Sequence, residues 1–154
     1  MKSFLTSPDI TLKILEDKEA QFRTLEEQAT KTTTVLSGMP SGGDKDRNAL
    51  LASLSDARAE YYKWLHLWHN SCNEVRNFLT SLAIDSAPRR CILQQRYIHK
   101  KKWSEILPIV HEVQKQWRQE PMSERQMYVE HLKALEDAAA WINTTGKYMY
   151  IGRV

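Results

Sequence analysis

The residues whose types and spacing could do chemistry gather between Met122 and Glu136, MSERQMYVEHLKALE. Ser123 is suited to cap a helix start, with Met122 before it placed to pack on the first turn. Beyond the cap, Met127, His131, Leu135 and Ala138 recur at helical spacing, and Tyr128, Leu132 and Ala139 widen that stripe. Glu124, Arg125, Gln126, Val129, Glu130 and Lys133 fall elsewhere. The pattern predicts a helix that holds a core with one face and offers long hydrogen-bonding side chains from its first two turns on the other. A capped helix of that kind is what a helix-turn-helix inserts into a major groove; an ordinary amphipathic surface helix has a similar polar face. Upstream, Arg89, Arg90 and Arg96 precede the run HKKKWSEI, which places Lys100, Lys101 and Lys102 between one apolar helix and the start of the next. A lysine triplet by itself reads as a solvated loop. Together with the arginines and the capped helix it makes a basic helical unit.

Other chemistries find weaker support. His66 and His69 are spaced to share a metal from one helix face, but no nearby acidic residue or cysteine completes the set. His111-Glu112 begins like a metalloprotease helix, yet the second histidine would stand at 115, where the chain has Lys115. The glycines of SGMPSGGDKD, from Ser37 to Asp46, precede a lysine, but a phosphate loop needs a preceding strand and Gly-Lys-Ser/Thr, and Gly43 is followed by Asp44. Cys72 and Cys91 lack zinc-type spacing and lie in apolar helical patterns, as buried thiols do. No nucleophile, base and stabiliser stand together, so neither catalytic residues, metal nor cofactor is expected.

The elements that must position the basic unit are helices. Pro8 suits a first helical turn, and after it Leu15, Phe22, Ala29 and Leu36 fall every seven residues, with Leu25 and Thr32 as a weaker second row. Residues Met1 to Pro8 are expected to fray. After the glycine-rich break, Leu50, Leu54, Ala57, Tyr61, Trp64, Trp68, Cys72, Val75, Leu79 and Leu82 step by four and three, the spacing of a coiled-coil seam. Its partner is either the first helix folded back or a second copy of the chain, giving a homodimer. Tyr62, Leu65 and Leu67 lie off that seam. Pro88 opens a further helix with Ile92, Leu93, Tyr97 and Ile98 turned inward, and Trp103-Ser-Glu-Ile106 opens the next. Leu107 to Pro121 either extends that helix or inserts another.

Charge is divided unevenly. Up to Asp85 there are ten Lys or Arg against twelve Asp or Glu, and from Ser86 onward twelve against seven, so a net +3 conceals −2 and +5. Such asymmetry suggests that one half meets a polyanion. The 154 residues suit one domain, or a small domain plus an extended helical element. Charges at Lys13, Glu16, Asp17, Lys18 and Glu19 interrupt any signal-peptide core or membrane span, so a soluble, unexported chain is expected, without a membrane partner.

The order Arg90-Cys-Ile-Leu-Gln-Gln-Arg-Tyr-Ile98, a short basic spacer, Trp103-Ser-Glu-Ile106, Ser123-Glu-Arg-Gln-Met-Tyr128 and His131-Leu-Lys-Ala-Leu-Glu136 resembles region four of sigma-70-type initiation factors. It is most similar to small phage-encoded relatives of that region, including ArpU-type late transcription regulators, in which a helical N-terminal part precedes the sigma-like unit. The Gly38-Met-Pro40 loop after ATKTTTVLS is similar as well. The resemblance implies that Leu93, Tyr97, Ile106, Met127 and Leu135 are core and that the reading helix starts at Ser123. It implies Glu124, Arg125 and Val129 at base-facing positions, Gln126 and Lys133 nearer the phosphates, and Lys100, Lys101 and Lys102 on backbone phosphates. Arginine can contact guanine twice and glutamate can accept from cytosine.

The expected fold is all-α: an antiparallel, coiled-coil-like helical hairpin over residues 1–85, a sigma region four-like helix-turn-helix over 86–142 and a C-terminal tail over 143–154, where Tyr148 and Tyr150 could dock on the body. The expected function is sequence-specific binding of double-stranded DNA in phage transcription control, activating late genes with host RNA polymerase in the bacterial host cytoplasm. Two alternatives stand beside it: a small terminase subunit recognising packaging sites, and a polymerase-binding protein that does not touch DNA.

Overall fold

The computed structural model describes residues 1–35 and 44–146, with side chains placed up to Lys31 and from Arg47 on. The fold is all-helical. It comprises α1 (Lys2–Leu5), α2 (Ser7–Val35), α3 (Asp44–Ser81), α4 (Ala87–Leu93) continued by a π-helical turn (Gln94–Ile98), α5 (Trp103–Gln116) and α6 (Glu124–Thr145). Leu36, the glycines of the expected break, Tyr148 and Tyr150 lie outside the described residues. Among the described residues no helix is long and apolar enough to cross a membrane.

Two compact units form. One spans Pro8–Ser71 and pairs α2 with the first part of α3. Phe22 stacks on Tyr61 with ring centroids 6.1 Å apart, and the Thr11 and Ser71 hydroxyls share a hydrogen bond of 3.1 Å. Low residue numbers of α2 thus meet high numbers of α3, so the two helices run antiparallel. The heptad positions face inward: Leu15 is buried, and Phe22, Leu25, Leu54, Ala57, Tyr61, Trp64 and Trp68 are half-buried, while most intervening residues are exposed. Off the seam, Leu65 is half-buried and Leu67 and Tyr62 are exposed, Tyr62 lying beneath the Arg58 guanidinium at 5.8 Å.

The other unit combines Met1–Ser7 with the described residues from Cys72 on. Its main core gathers Leu5, Val75, Phe78, Leu79, Leu82, Leu93, Tyr97 and the small residues Ala134 and Ala138. A second cluster, Ile92, Ile106, Val110 and Met127, joins α4, α5 and α6. The chain start does not fray, contrary to expectation: residues Lys2–Leu5 form a helical turn. Leu5 is fully buried and Phe4 meets Phe78 edge-on at 5.6 Å, because two adjacent apolar side chains gain more by burial than the short α1 loses in backbone freedom.

Local chemistry sets the ends of α4, α5 and α6. Ser86 is extended before α4, Pro88 occupies its first turn, and the Arg90 guanidinium donates to the Ile84 carbonyl at 2.6 Å. After the π-helical turn Lys100 adopts φ 55°, and the Lys101 N–H donates back to the Gln95 carbonyl at 3.0 Å. The segment after Leu107 extends α5 through Pro108 to Gln116. Pro108 lies inside this helix just past its first turn, where its missing N–H leaves the Ser104 carbonyl without the usual helical donor. The helix stops with Arg118 left-handed at φ 53°, with Arg118 N–H on the Lys115 carbonyl (3.1 Å) and Gln119 N–H on the Gln114 carbonyl (2.9 Å). This is a Schellman ending with arginine where glycine is usual.

Candidate nucleic-acid interface

Helix α6 begins where its sequence says it should. Ser123 is extended, its Oγ accepts from the Gln126 N–H at 3.2 Å, and the Gln126 side-chain oxygen accepts from the Ser123 N–H at 2.7 Å. The reciprocal pair satisfies two donors that a helix start leaves open. Ser123 and Gln126 are therefore both engaged in holding the helix start. At the other end Gly146 takes φ 66° and its N–H donates to the Ile142 carbonyl, so the helix runs to Thr145, a little past the expected end near Ile142.

The buried row of α6 is Met127, His131, Ala134, Ala138 and Ile142. It differs from the sequence stripe: Ala134 is fully buried, Leu135 only half, and Leu132 and Tyr128 are 59 % and 39 % exposed. Ala134 falls on this row, whereas Leu132 stands about 120° from its centre and so turns outward. At 100° per residue, Val129 stands opposite this row, with Arg125, Leu132, Gln126 and Lys133 to either side. All five are exposed. Glu124 lies on the flank, where its carboxylate accepts from the Tyr128 hydroxyl at 3.4 Å. Arg125 makes no hydrogen bond or ion pair among the described residues, whereas Lys133 donates to Glu130 at 2.8 Å.

Trp103, the first residue of α5, connects the lysine triplet to this face. Its ring lies 4.8 Å from Tyr128 and 4.9 Å from His131, and the Arg96 guanidinium sits 5.1 Å above it. Lys102, immediately before Trp103, is the helix N-cap residue and is exposed. A lysine side chain has no acceptor, so only half of a capping box forms: the Glu105 carboxylate accepts from the Lys102 N–H at 2.7 Å. Lys100 is exposed and Lys101 half-buried. Contact through Trp103 and Tyr128 thus brings the triplet beside the flank of α6 that carries Glu124 and Tyr128.

The three arginines that the sequence groups with the lysines have internal partners. Arg89 donates to Glu130 at 2.7 Å and to Asp137 at 2.8 Å, Arg90 holds the Ile84 carbonyl, and Arg96 donates to the Lys101 carbonyl at 3.0 Å. The hydrogen bonds it donates to Glu130 and Asp137 raise the Arg89 pKa further. For Glu130, partial burial opposes ionisation, but hydrogen bonds from Lys133 and Arg89 outweigh it and hold the carboxyl below its usual range.

His131 carries no charge at neutral pH. Burial, aided by the Lys2 and Arg96 charges, lowers its pKa to about 4, and its Nε2 shares a hydrogen bond of 3.0 Å with the Tyr97 hydroxyl. Burial likewise pushes the Tyr97 phenol and the Cys91 thiol up, so both keep their protons at neutral pH. Among the described residues no group of three or more His, Cys, Asp or Glu is arranged to hold a metal ion.

The turn between α5 and α6 is fixed by Gln114, a buried residue that sequence reasoning passed over. Its amide nitrogen donates to the Glu120 carbonyl at 2.8 Å and its oxygen accepts from the Met122 N–H at 3.1 Å, while His111 Nε2 bonds the Met122 carbonyl at 2.8 Å. A polar side chain at a position of apolar spacing after Ile106 and Val110 was the available signal. No protein-family model, curated protein or solved structure matches this chain.

Proposed function

We propose that α5, the 117–123 turn and α6 act as a sigma region four-like helix-turn-helix that binds specific sites in double-stranded DNA. In this reading α6 is the reading helix, with Glu124, Arg125 and Val129 toward the bases, Gln126 and Lys133 nearer the phosphates, and Lys100, Lys101 and Lys102 on the backbone. The observation that carries it is the outer face of α6, where exposed Arg125 stands between a helix start capped by Ser123 and a flank reached by the lysine triplet through Trp103. A net excess of positive charge from Ser86 onward favours the same partner.

The resemblance of the residues to phage-encoded relatives makes the biological role late-gene control together with host RNA polymerase. The α2–α3 pair, over Pro8–Ser71, then serves interaction or self-association rather than reading. Selection of bound duplexes from genomic fragments at two salt concentrations, using the full chain, tests this reading. A discrete site upstream of a late operon is the expected result. Enrichment at a packaging site would replace it by the terminase reading, and no enrichment at either salt would replace it by a protein-binding role without DNA.

A further inference from the structure

Val129 and Leu132 are 45 % and 59 % exposed on the face of α6 opposite its buried row, and Tyr128 beside them is 39 % exposed. Single apolar residues on a surface need no explanation, but here branched side chains occupy the same face as an exposed arginine four residues earlier. A helix face that met only phosphates or solvent would gain nothing from them. One that met base edges would, because thymine alone among the bases presents a methyl group in the major groove, at C5 beside its O4 acceptor.

Resting on the DNA-binding reading above, we infer that α6 recognises thymine methyl groups through Val129 and Leu132, next to a guanine held by Arg125. Helical rise puts Val129 about 6 Å and Leu132 about 10 Å along the axis from Arg125, so the thymines lie within about three base pairs of the guanine. The positive balance of the chain from Ser86 onward and the nearby lysine triplet argue for a polyanion as occupant rather than an apolar protein groove.

The test uses the full chain and duplexes selected from a random library. Each thymine of the selected site is replaced in turn by deoxyuracil, which keeps the hydrogen-bonding edge and removes only the methyl. Affinity should fall about fourfold at one or two thymines close to an essential guanine, the loss expected for one buried methyl-sized group. Val129→Ala and Leu132→Ala, both at exposed positions, should weaken the thymine duplex similarly and no longer distinguish thymine from uracil at the matching position. Specific binding with thymine and uracil equal at every position would overturn this inference and leave the DNA reading standing. Absence of any selected site would overturn the DNA reading itself. Loss of self-association in Leu132→Ala, with no thymine preference in the parent chain, would assign the face to a second copy and also overturn the inference.

Discussion

Arg89 of α4 and Glu130 of α6 meet at 2.7 Å across 41 residues of chain, and the same guanidinium reaches Asp137 at 2.8 Å. One planar side chain therefore ties α4 to two points on α6 that lie about two turns apart. It also fixes the outward face of that helix, because Glu130 and Asp137 lie between the buried row and the exposed one.

Arg89→Ala should destabilise the fold by about 2 kcal/mol, since it leaves two partly buried carboxylates without their shared partner. Arg89→Lys should recover only part of this, because an ammonium cannot span both carboxylates with the fixed fork of arginine. Urea denaturation monitored by far-UV circular dichroism checks both. Equal stability of Arg89→Ala and the parent would show that the pair is incidental.

Acid should destabilise the protein in two stages. His131 titrates near 4 when folded against 6.5 as its reference value, so below about pH 6.5 the unfolded chain binds the proton first. Stability is full above that pH and falls by up to about 3 kcal/mol as pH drops toward 4. Glu130, held below its ordinary 4.5, contributes stability above that value that is lost as pH falls through its depressed pKa. His131→Phe should flatten the melting temperature between pH 6.5 and 4, while losing about 1 kcal/mol at all pH values because the Tyr97 hydroxyl loses its partner. A parent protein whose melting temperature is constant over that range would contradict the assignment.

Gln114→Ala should cost about 2 kcal/mol and loosen the start of α6, because both the Glu120 carbonyl and the Met122 N–H lose a buried partner. Amide hydrogen exchange at residues 119–126 is the direct readout. Faster exchange confined to α5 would argue against the role given to this side chain.

Much of the helical layout was legible in local patterns. The step of four and three from Leu50 to Leu79 marks the inward row of α3, and Ser123 with Gln126 three residues on announces the α6 cap. Both signals are local, so sequence alone carries them. The partners of Arg89 are 41 and 48 residues away, and nothing near Arg89 distinguishes an internal clamp from a phosphate ligand. The exposure of Leu132 was hidden for a related reason: hydrophobicity ranks it above Ala134, but helix packing selected the smaller side chain. The docking of Phe4 and Leu5 likewise depends on Phe78, far along the chain.

The most direct test of the DNA-binding account reverses Lys101 and Arg125 separately, as Lys101→Glu and Arg125→Glu, and measures equilibrium binding to selected and unrelated duplexes across a salt series. Lys101→Glu should weaken binding to all duplexes and reduce the magnitude of the salt slope by about one or more, whereas Arg125→Glu should alter the preferred base at one position. If both variants fold and bind as the parent does, with slope and preference unchanged, the face assigned to DNA is wrong.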